Sequence, residues 1–93
     1  MYTLFETKKF IKSLKRISNI SGGKKLIKET RECLLILQKG EKLSPKYQDH
    51  ALRGEFLGYR ECHIRGDALL VYKIEKDKMI LILVEIGSHS YLF

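Results

Sequence analysis

The second half of the chain contains three short strand-like runs separated by turn residues, and this pattern constrains the fold more than any other feature. The runs cover residues 59–65, 68–75 and 79–86, with Gly66-Asp67 and residues 75–78 between them. Short runs bounded by turn residues predict three consecutive strands in a meander. Because the last run is apolar on both faces, we expect it inside the sheet, covered by helices on at least one side.

The first half has the apolar spacing of helices. After a short strand over residues 1–5, Thr7 is expected to cap a helix that ends near residue 18 or 19. A second helix is predicted over residues 24–39, with Ser21 as a candidate cap and Gly40 as its stop. Residues at helical spacing form the expected buried stripes, which are Phe10, Ile11, Leu14 and Ile17 in the first helix and Leu26, Ile27, Thr30, Cys33, Leu34 and Leu37 in the second.

These elements predict an α+β fold of order β-α-α-β-β-β, with a helix hairpin packed on a small, mainly antiparallel sheet. The chain is long enough for one modest core, so we expect a single domain over residues 1–93. Residues 40–57 form a connection that contains the only proline. A connection of this length in so small a domain is often functional.

The positive charge is concentrated in the first half. Residues 1–46 carry 12 Lys and Arg against 4 Asp and Glu, whereas residues 47–93 carry 6 against 7. The basic residues of the two predicted helices are Lys8, Lys9, Lys12, Lys15, Arg16, Lys24, Lys25, Lys28 and Arg31. A basic surface attracts nucleic acid, anionic lipid or an acidic protein without distinguishing among them, and it can also be a merely solvated face.

The sequence also indicates a compartment. No run approaches the roughly 20 apolar residues of a membrane span. Charges at Glu6, Lys8 and Lys9 argue against a secretory signal, and two cysteines do not make a disulfide framework. We therefore expect a cytoplasmic protein with two free thiols and no membrane partner.

All three histidines, His50, His63 and His89, lie in the second half, close to Asp49 and Asp67. This grouping suggests acid–base chemistry on an anion. For an anion such as RNA, cleavage without a metal needs a base for the 2′-hydroxyl proton, an acid for the leaving 5′-oxygen and cations for the added charge. Imidazole suits both proton roles because it titrates near neutral pH. We therefore expect the three histidines to converge on one pocket. Asp49 is expected to orient His50, and Asp67 either to orient His63 or to be a simple turn residue.

A zinc site is the competing use of His50, Cys62, His63 and Asp67. Cys62 and His63 are neighbours on a predicted strand, so their side chains point to opposite faces and cannot easily share one ion. We therefore expect no metal and no other cofactor.

An ordered set of short motifs runs through the same half. The motifs are Tyr47-x-Asp49-His50, Leu52-x-Gly54, Gly58-Tyr59-Arg60-x-x-His63, Asp67, Val71-Tyr72-Lys73 and Gly87-x-His89-x-x-x-Phe93. In this order and spacing they resemble the YafQ branch of the RelE-like bacterial toxins, which are small ribonucleases of toxin–antitoxin pairs. The resemblance implies the fold predicted above and active-site roles for His50, His63 and His89. His89 is expected to be the main proton-transfer residue, although an exposed histidine near the end of the chain is the alternative.

The resemblance also implies a substrate and partners. It implies cleavage of messenger RNA in the ribosomal A site, which inhibits translation, and an acidic antitoxin that masks the basic surface. Phe93 matches a C-terminal aromatic residue of the family that is expected to stack on a base. Packing against the edge of the core is the alternative for Phe93.

Two positions depart from the family pattern. Glu85 stands where the family usually has arginine, and Ala68 stands where a large side chain is common. A carboxylate repels phosphate, so we expect another cation to hold it, with Lys46, Arg60 and Arg65 as candidates. Glu85 is itself a candidate base or a partner for a histidine. A catalytically weak or inactive homologue that only binds antitoxin or RNA is the alternative function.

Overall fold

Two helices pack on one face of a five-stranded sheet in the computed structural model, which describes residues 1–88. The elements are β1 (Thr3–Glu6), α1 (Lys8–Ser18), α2 (Gly23–Gln38), β2 (His50–Ala51), β3 (Arg60–Arg65), β4 (Ala68–Glu75) and β5 (Ile80–Ser88). The strand order is β1-β5-β4-β3-β2, with β1 parallel to β5 and the other pairs antiparallel. The predicted α+β fold is confirmed, and β2 is an additional strand within residues 40–57 that the sequence did not indicate.

Helix α1 begins at the predicted cap. Thr7 Oγ1 accepts a hydrogen bond from the Phe10 backbone N–H at 3.1 Å. The stripe prediction is wrong at Ile11, which is 41% exposed, whereas Ser13 is buried. Ile11 lies one residue, about 100° of helix rotation, beyond Phe10 and so falls at the edge of the buried face. Ser13 tolerates burial because its hydroxyl donates to the Lys9 carbonyl at 2.7 Å.

The turn between the helices depends on two glycines. Gly22 has φ +78°, in the left-handed region that favours glycine, and it precedes α2 without a side-chain cap hydrogen bond. Ser21 is therefore not the cap, and that prediction is wrong. A Cβ atom on Gly23 would lie 1.8 Å from the Ile17 carbonyl oxygen. The end of α1 and the start of α2 thus lie so close together that a residue with a Cβ atom would not fit at position 23.

The core lies between the helices and the inner face of the sheet. Cys62, Leu70 and Ile86 are cross-strand neighbours on β3, β4 and β5, and all three are fully buried. They form one hydrophobic cluster with Phe10, Ile17, Cys33, Leu34, Leu37, Ile64, Tyr72, Leu81 and Leu83. The predicted α2 stripe is confirmed, since Thr30, Cys33, Leu34 and Leu37 are buried and Leu26 and Ile27 pack partly against the cluster.

The strands meet the predicted bounds with small shifts. Strand β5 is an inner strand as predicted, but it begins at Ile80 because Met79 has φ +54°, which extended backbone does not allow.

Neither helix in the described part of the chain has the length and apolar character needed to cross a lipid bilayer.

Candidate active site

A row of four paired residues crosses the sheet on the face opposite the helices. Strand register pairs His50 with Glu61, Glu61 with Val71, and Val71 with Glu85. Paired residues point to the same face, and His63 shares that face because it lies two residues beyond Glu61 on β3. We call this side of the sheet, which carries His50, Glu61, His63, Val71 and Glu85, the open face. It places two buried carboxylates roughly 10 Å apart, two strand spacings, with Val71 between them.

His50 and Glu61 form a pair at one end of the row. His50 Nε2 lies 3.1 Å from Glu61 Oε1, and His50 Nδ1 lies 2.7 Å from the Gln48 carbonyl oxygen. The Gln48 carbonyl can only accept a hydrogen bond, so His50 Nδ1 carries the hydrogen of that contact. The contact between His50 Nε2 and Glu61 Oε1 is a hydrogen bond only when a second proton lies between these two atoms. Glu61 is only 5% exposed, and its Oε2 is a buried oxygen without a hydrogen-bond partner among residues 1–88. An unpaired carboxylate oxygen keeps its capacity to accept a hydrogen bond.

Lys9 and Glu85 form a second pair at the other end of the row. Lys9 Nζ lies 3.0 Å from Glu85 Oε1, with the lysine side chain 68% exposed and the glutamate buried. A β-bulge places Glu85 there, because Val71 pairs with Glu85 while Tyr72 pairs with Leu83, which leaves Val84 as the extra residue. The Glu85 carboxylate is therefore matched by a cation from the first turn of α1.

Thr7 holds the bulge in place. Its hydroxyl lies 2.8 Å from the Leu83 carbonyl oxygen and 3.0 Å from that of Val84, and its backbone N–H donates to Leu83 at 3.2 Å. The residue that caps α1 thus also contacts the two backbone carbonyls at the bulge. Lys9 and Glu85 meet because one side chain ties the two elements together.

A cleft of about 310 Å3 opens on this face. Lys9, Glu85 and Val71 form one wall, and the loop between β2 and β3 supplies the other through Phe56 and Tyr59. An apolar floor beside charged groups suits a ligand that carries both flat rings and negative charge, such as a nucleotide.

The predicted histidines are only partly brought together. His50 and His63 share the open face, whereas His89 and Phe93 lie outside the described residues, so the convergence of all three histidines stays a prediction. Asp67 lies in the exposed turn between β3 and β4, where it lines a pocket of about 240 Å3 with Gly87 and Ser88. Ala68 is buried beside this turn and pairs with Ser88.

The three cations predicted to hold the phosphate, Lys46, Arg60 and Arg65, do not contact Glu85. Arg60 pairs with Tyr72 across the strands, which places it on the helix side of the sheet, where it contacts Asp49 at 3.2 Å. Arg65 lies 3.4 Å from Glu29 of α2, and Lys46 sits 5.1 Å from the centre of the Tyr47 ring. Lys9, which the sequence assigned only to the basic surface, is instead the cation beside Glu85.

The expected direct contact between Asp49 and the His50 ring is not formed. Asp49 accepts hydrogen bonds from the buried Tyr72 hydroxyl and from Arg60, while the His50 ring contacts Gln48 and Glu61. Burial and the hydrogen bond to Asp49 raise the pKa of Tyr72. Burial lowers the pKa of Arg60, but its hydrogen bonds to Asp49 and Tyr72 outweigh this and raise it. Arg60 therefore stays charged and Tyr72 stays neutral across the physiological pH range.

The zinc alternative finds no ligand set in the described residues. No three side chains among the His, Cys, Asp and Glu residues of positions 1–88 are grouped so that they could hold a metal ion together. Cys62 faces the core, with its sulfur 3.8 Å from that of Cys33, on the opposite side of the sheet from His63.

Glu61 and Lys9 are the site residues that sequence reasoning missed. An alternating strand did indicate that Glu61 and His63 share a face, but the partner of Glu61 depends on β2, which has no apolar pattern. The approach of Lys9 to Glu85 depends on the bulge and on the docking of α1, and neither leaves a local signal in the sequence.

Comparison with known proteins matches the chain to the YafQ toxins, both by a family model and by individual relatives. Residues 2–93 match a family model described as the bacterial toxin of type II toxin–antitoxin systems, YafQ. A Haemophilus influenzae protein that carries the YafQ toxin name is 44% identical over 71 residues, which cover 72% of this chain and 66% of that protein. The mRNA interferase toxin YafQ of Escherichia coli is 37% identical over 59 residues, which cover 63% and 62%. These matches span about two thirds of the relatives' length.

Solved structures share the fold along the whole chain. The crystal structure of a metal-bound toxin from Helicobacter pylori has a TM-score of 0.85 at 40% identity and covers 100% of both chains. The crystal structure of the E. coli DinJ–YafQ toxin–antitoxin complex has a TM-score of 0.80 at 24% identity, with 99% of this chain and 97% of that chain covered. At that lower identity the likeness concerns the fold alone.

Proposed function

The chain belongs to the YafQ family of bacterial type II toxins, and we propose that it is an endoribonuclease that cleaves messenger RNA on the ribosome. The name of the E. coli relative, an mRNA interferase toxin, supports the activity class. The ribosome would hold the message in the extended shape that cleavage needs, which is consistent with the small size of the open-face cleft.

One observation carries the proposed chemistry. Among residues 1–88, Glu61 Oε2 is buried and has no hydrogen-bond partner, beside His50 and on the same face as His63. Leaving a buried acceptor unpaired is costly, so a site of this kind is completed when a ligand supplies the hydrogen. The 2′-hydroxyl of a nucleotide is such a donor, and it is the group whose proton must be removed to start cleavage.

The reaction then follows in one displacement. The 2′-oxygen attacks the adjacent phosphorus while its proton passes to Glu61, held in orientation by His50. The bond from phosphorus to the 5′-oxygen breaks, and that oxygen takes a proton from an acid, for which His89 is the candidate. The products are a 2′,3′-cyclic phosphate and a 5′-hydroxyl end. Stabilisation of the charge on the phosphate is assigned to His63, on the same face, and to Lys9, which pairs with Glu85.

The Lys9–Glu85 pair bears on the alternative of an inactive homologue. A lone carboxylate at position 85 would repel phosphate, but Glu85 Oε1 is already paired with the lysine ammonium at 3.0 Å. Lys9 remains largely exposed and can turn its remaining donors toward a phosphate oxygen. This arrangement favours the active enzyme over the inactive one.

The basic surface of the helices suggests the partners. The predicted basic residues of both helices are all solvent-exposed. Phosphate contacts from such a surface would hold ribosomal RNA with a strong dependence on salt concentration. The same surface is complementary to an acidic antitoxin, whose binding would compete with the ribosome.

The test is cleavage of translated messages after expression of the protein without its antitoxin. We expect new 5′-ends within coding regions, arrested growth and 2′,3′-cyclic phosphates on the upstream fragments. A message with a single 2′-deoxy nucleotide at the cut site is expected to resist cleavage. Cutting at the deoxy site would refute attack by the 2′-oxygen, and intact messages with normal growth would favour the inactive homologue.

A matched pair of variants tests the role of Glu61. Glu61→Gln removes the proton acceptor while keeping the side-chain shape, and we expect kcat to fall by about a hundredfold or more, in the range typical of general acid–base groups. Glu75→Gln is the control, because Glu75 is a paired glutamate of the same sheet that contacts Lys73 at 3.2 Å. Equal activity of both variants would exclude Glu61 as the base.

A further inference from the structure

A polar cluster lies on the helix side of the sheet, directly behind His50. Tyr72, on β4, is fully buried and its hydroxyl donates to Asp49 Oδ1. Arg60, on β3, donates to Asp49 Oδ2 at 3.2 Å. Arg60 and Tyr72 are themselves cross-strand partners. Both oxygens of one carboxylate are thus engaged by two side chains from adjacent strands.

Asp49 is the residue that leads into β2. The strand contains only His50 and Ala51, which pair with Glu61 and Arg60 at the edge of the sheet. Two backbone pairs at an edge constrain a segment weakly, and the preceding Gln48 adopts φ +49°, an uncommon conformation for a residue other than glycine. The backbone here needs a side-chain anchor to remain in one position.

Neighbouring residues in extended backbone point to opposite faces. Asp49 therefore points to the helix side while His50 points to the open face, and fixing one side chain fixes the direction of the other. His50 contacts Glu61 Oε1 at 3.1 Å, a distance that a small displacement of the backbone would lengthen beyond hydrogen bonding.

We propose that Asp49, held by Tyr72 and Arg60, is a positioning residue that sets the His50 ring against Glu61 from the opposite side of the sheet. The catalytic consequence rests on the proposed function, whereas the effect on the His50 ring does not. Tyr72 and Arg60 act only through Asp49 and touch no substrate.

The first experiment measures the His50 ring directly in the free protein. Ring nitrogen and carbon-bound proton signals of the three histidines are recorded by NMR for wild type, Tyr72→Phe and Asp49→Asn. We expect the His50 signals to shift and broaden in both variants. Tyr2→Phe is the matched control, since Tyr2 lines the same pocket and packs against the same core. Its His50 signals are expected to match wild type.

The second experiment separates chemistry from binding. In message cleavage, we expect Tyr72→Phe and Asp49→Asn to lower kcat between about tenfold and a hundredfold, the range that a displacement on the order of 1 Å produces, with KM unchanged. The midpoints of urea unfolding identify any variant that fails to fold. If Tyr72→Phe does not fold, Asp49→Asn alone provides the test of the positioning role.

The outcomes separate the two proposals. Unchanged His50 signals in both variants would overturn the positioning role, even if the protein cleaves RNA. Shifted His50 signals in a protein that cleaves no RNA would sustain the positioning role and reject the proposed function. A fall in kcat without any change at His50 would also overturn it, because the effect would then reach the site by another route.

Discussion

Thr7→Ala tests whether one side chain joins the start of α1 to the bulge of β5. The Thr7 hydroxyl accepts from the Phe10 N–H at 3.1 Å and lies 2.8 Å and 3.0 Å from the carbonyls of Leu83 and Val84. Loss of a threonine N-cap costs about 1 kcal/mol. The bulge carbonyls are only partly accessible to water, so loss of their donor adds about 1 kcal/mol more. We expect the free energy of unfolding to fall by about 2 kcal/mol in total.

Urea unfolding followed by far-ultraviolet circular dichroism measures this change, and thermal unfolding offers a second measure. In a domain of this length, about 2 kcal/mol corresponds to a fall in Tm of roughly 10 °C. Thr7→Ser keeps the hydroxyl and is expected to recover most of the stability. Ser18→Ala removes an exposed hydroxyl that donates to Lys15 at the other end of α1, and a change within about 0.5 kcal/mol is expected.

The reasoning fails if Thr7→Ala lies within about 0.5 kcal/mol of wild type, or if Thr7→Ser is as unstable as Thr7→Ala. The first result would mean that water replaces the hydroxyl without cost. The second would mean that the methyl group, rather than the hydroxyl, stabilises the junction.

Three further outcomes are expected. Leu70→Ala removes a fully buried side chain from the middle of the core, and the free energy of unfolding should fall by about 2–5 kcal/mol in urea titrations. Lys9→Gln should leave the free energy of unfolding within about 1 kcal/mol of wild type, because the lysine is exposed, yet lower kcat/KM for message cleavage more than about tenfold. Lys12→Gln on the same helix is the control, and equal losses in both variants would mean that Lys9 acts only through the overall charge. Stability should also fall at alkaline pH, since the hydrogen bond to Cys33 and burial raise the pKa of Cys62, and burial and the bond to Asp49 raise that of Tyr72, above their ordinary values of 9.0 and 10.0. The unfolded chain then loses these protons first, so the contribution of the two groups to stability is constant below about pH 9 and declines above it by up to about 1.4 kcal/mol per pH unit for each group. Unfolding titrations between pH 7 and 10.5 check this, and Tyr72→Phe should remove the additional decline that sets in above about pH 10 while the decline due to Cys62 remains.

Much of the fold could be predicted because helices and strands have their own local periods. Each local prediction depends on only a few neighbouring residues. The structure confirms the helix predicted from the spacing of Phe10, Leu14 and Ile17, and the turn predicted at Gly66. Ser21 and Ile11 were misjudged for a related reason. The approach of Gly23 to the Ile17 carbonyl and the rotation of α1 on the sheet are set by contacts between elements, which a single helix pattern does not contain.

In the candidate site, too, local features could be predicted from the sequence and contacts between elements could not. The sequence identified the titratable groups and placed Glu61 and His63 on one face of a strand, because alternation is local. It did not indicate that His50 faces Glu61, because a two-residue strand carries no pattern, and Asp49, which precedes that strand, contacts Tyr72, 23 residues away in the chain. It also pointed to Lys46, Arg60 and Arg65 as cations that hold the phosphate, whereas in the structure Arg60 contacts Asp49 and Arg65 contacts Glu29 on the helix side.

The amino-acid sequence by itself determined the chemical groups and the order of both helices and four of the five strands, since these follow from composition and short-range periodicity, and its motifs carried the resemblance to the family. Only the tertiary structure decided which groups meet. The register of β2, the bulge at Val84 and the docking of α1 bring Lys9 to Glu85 and His50 to Glu61. Each of these depends on packing between residues distant in the chain, where a shift of one position moves a side chain to the other face of the sheet.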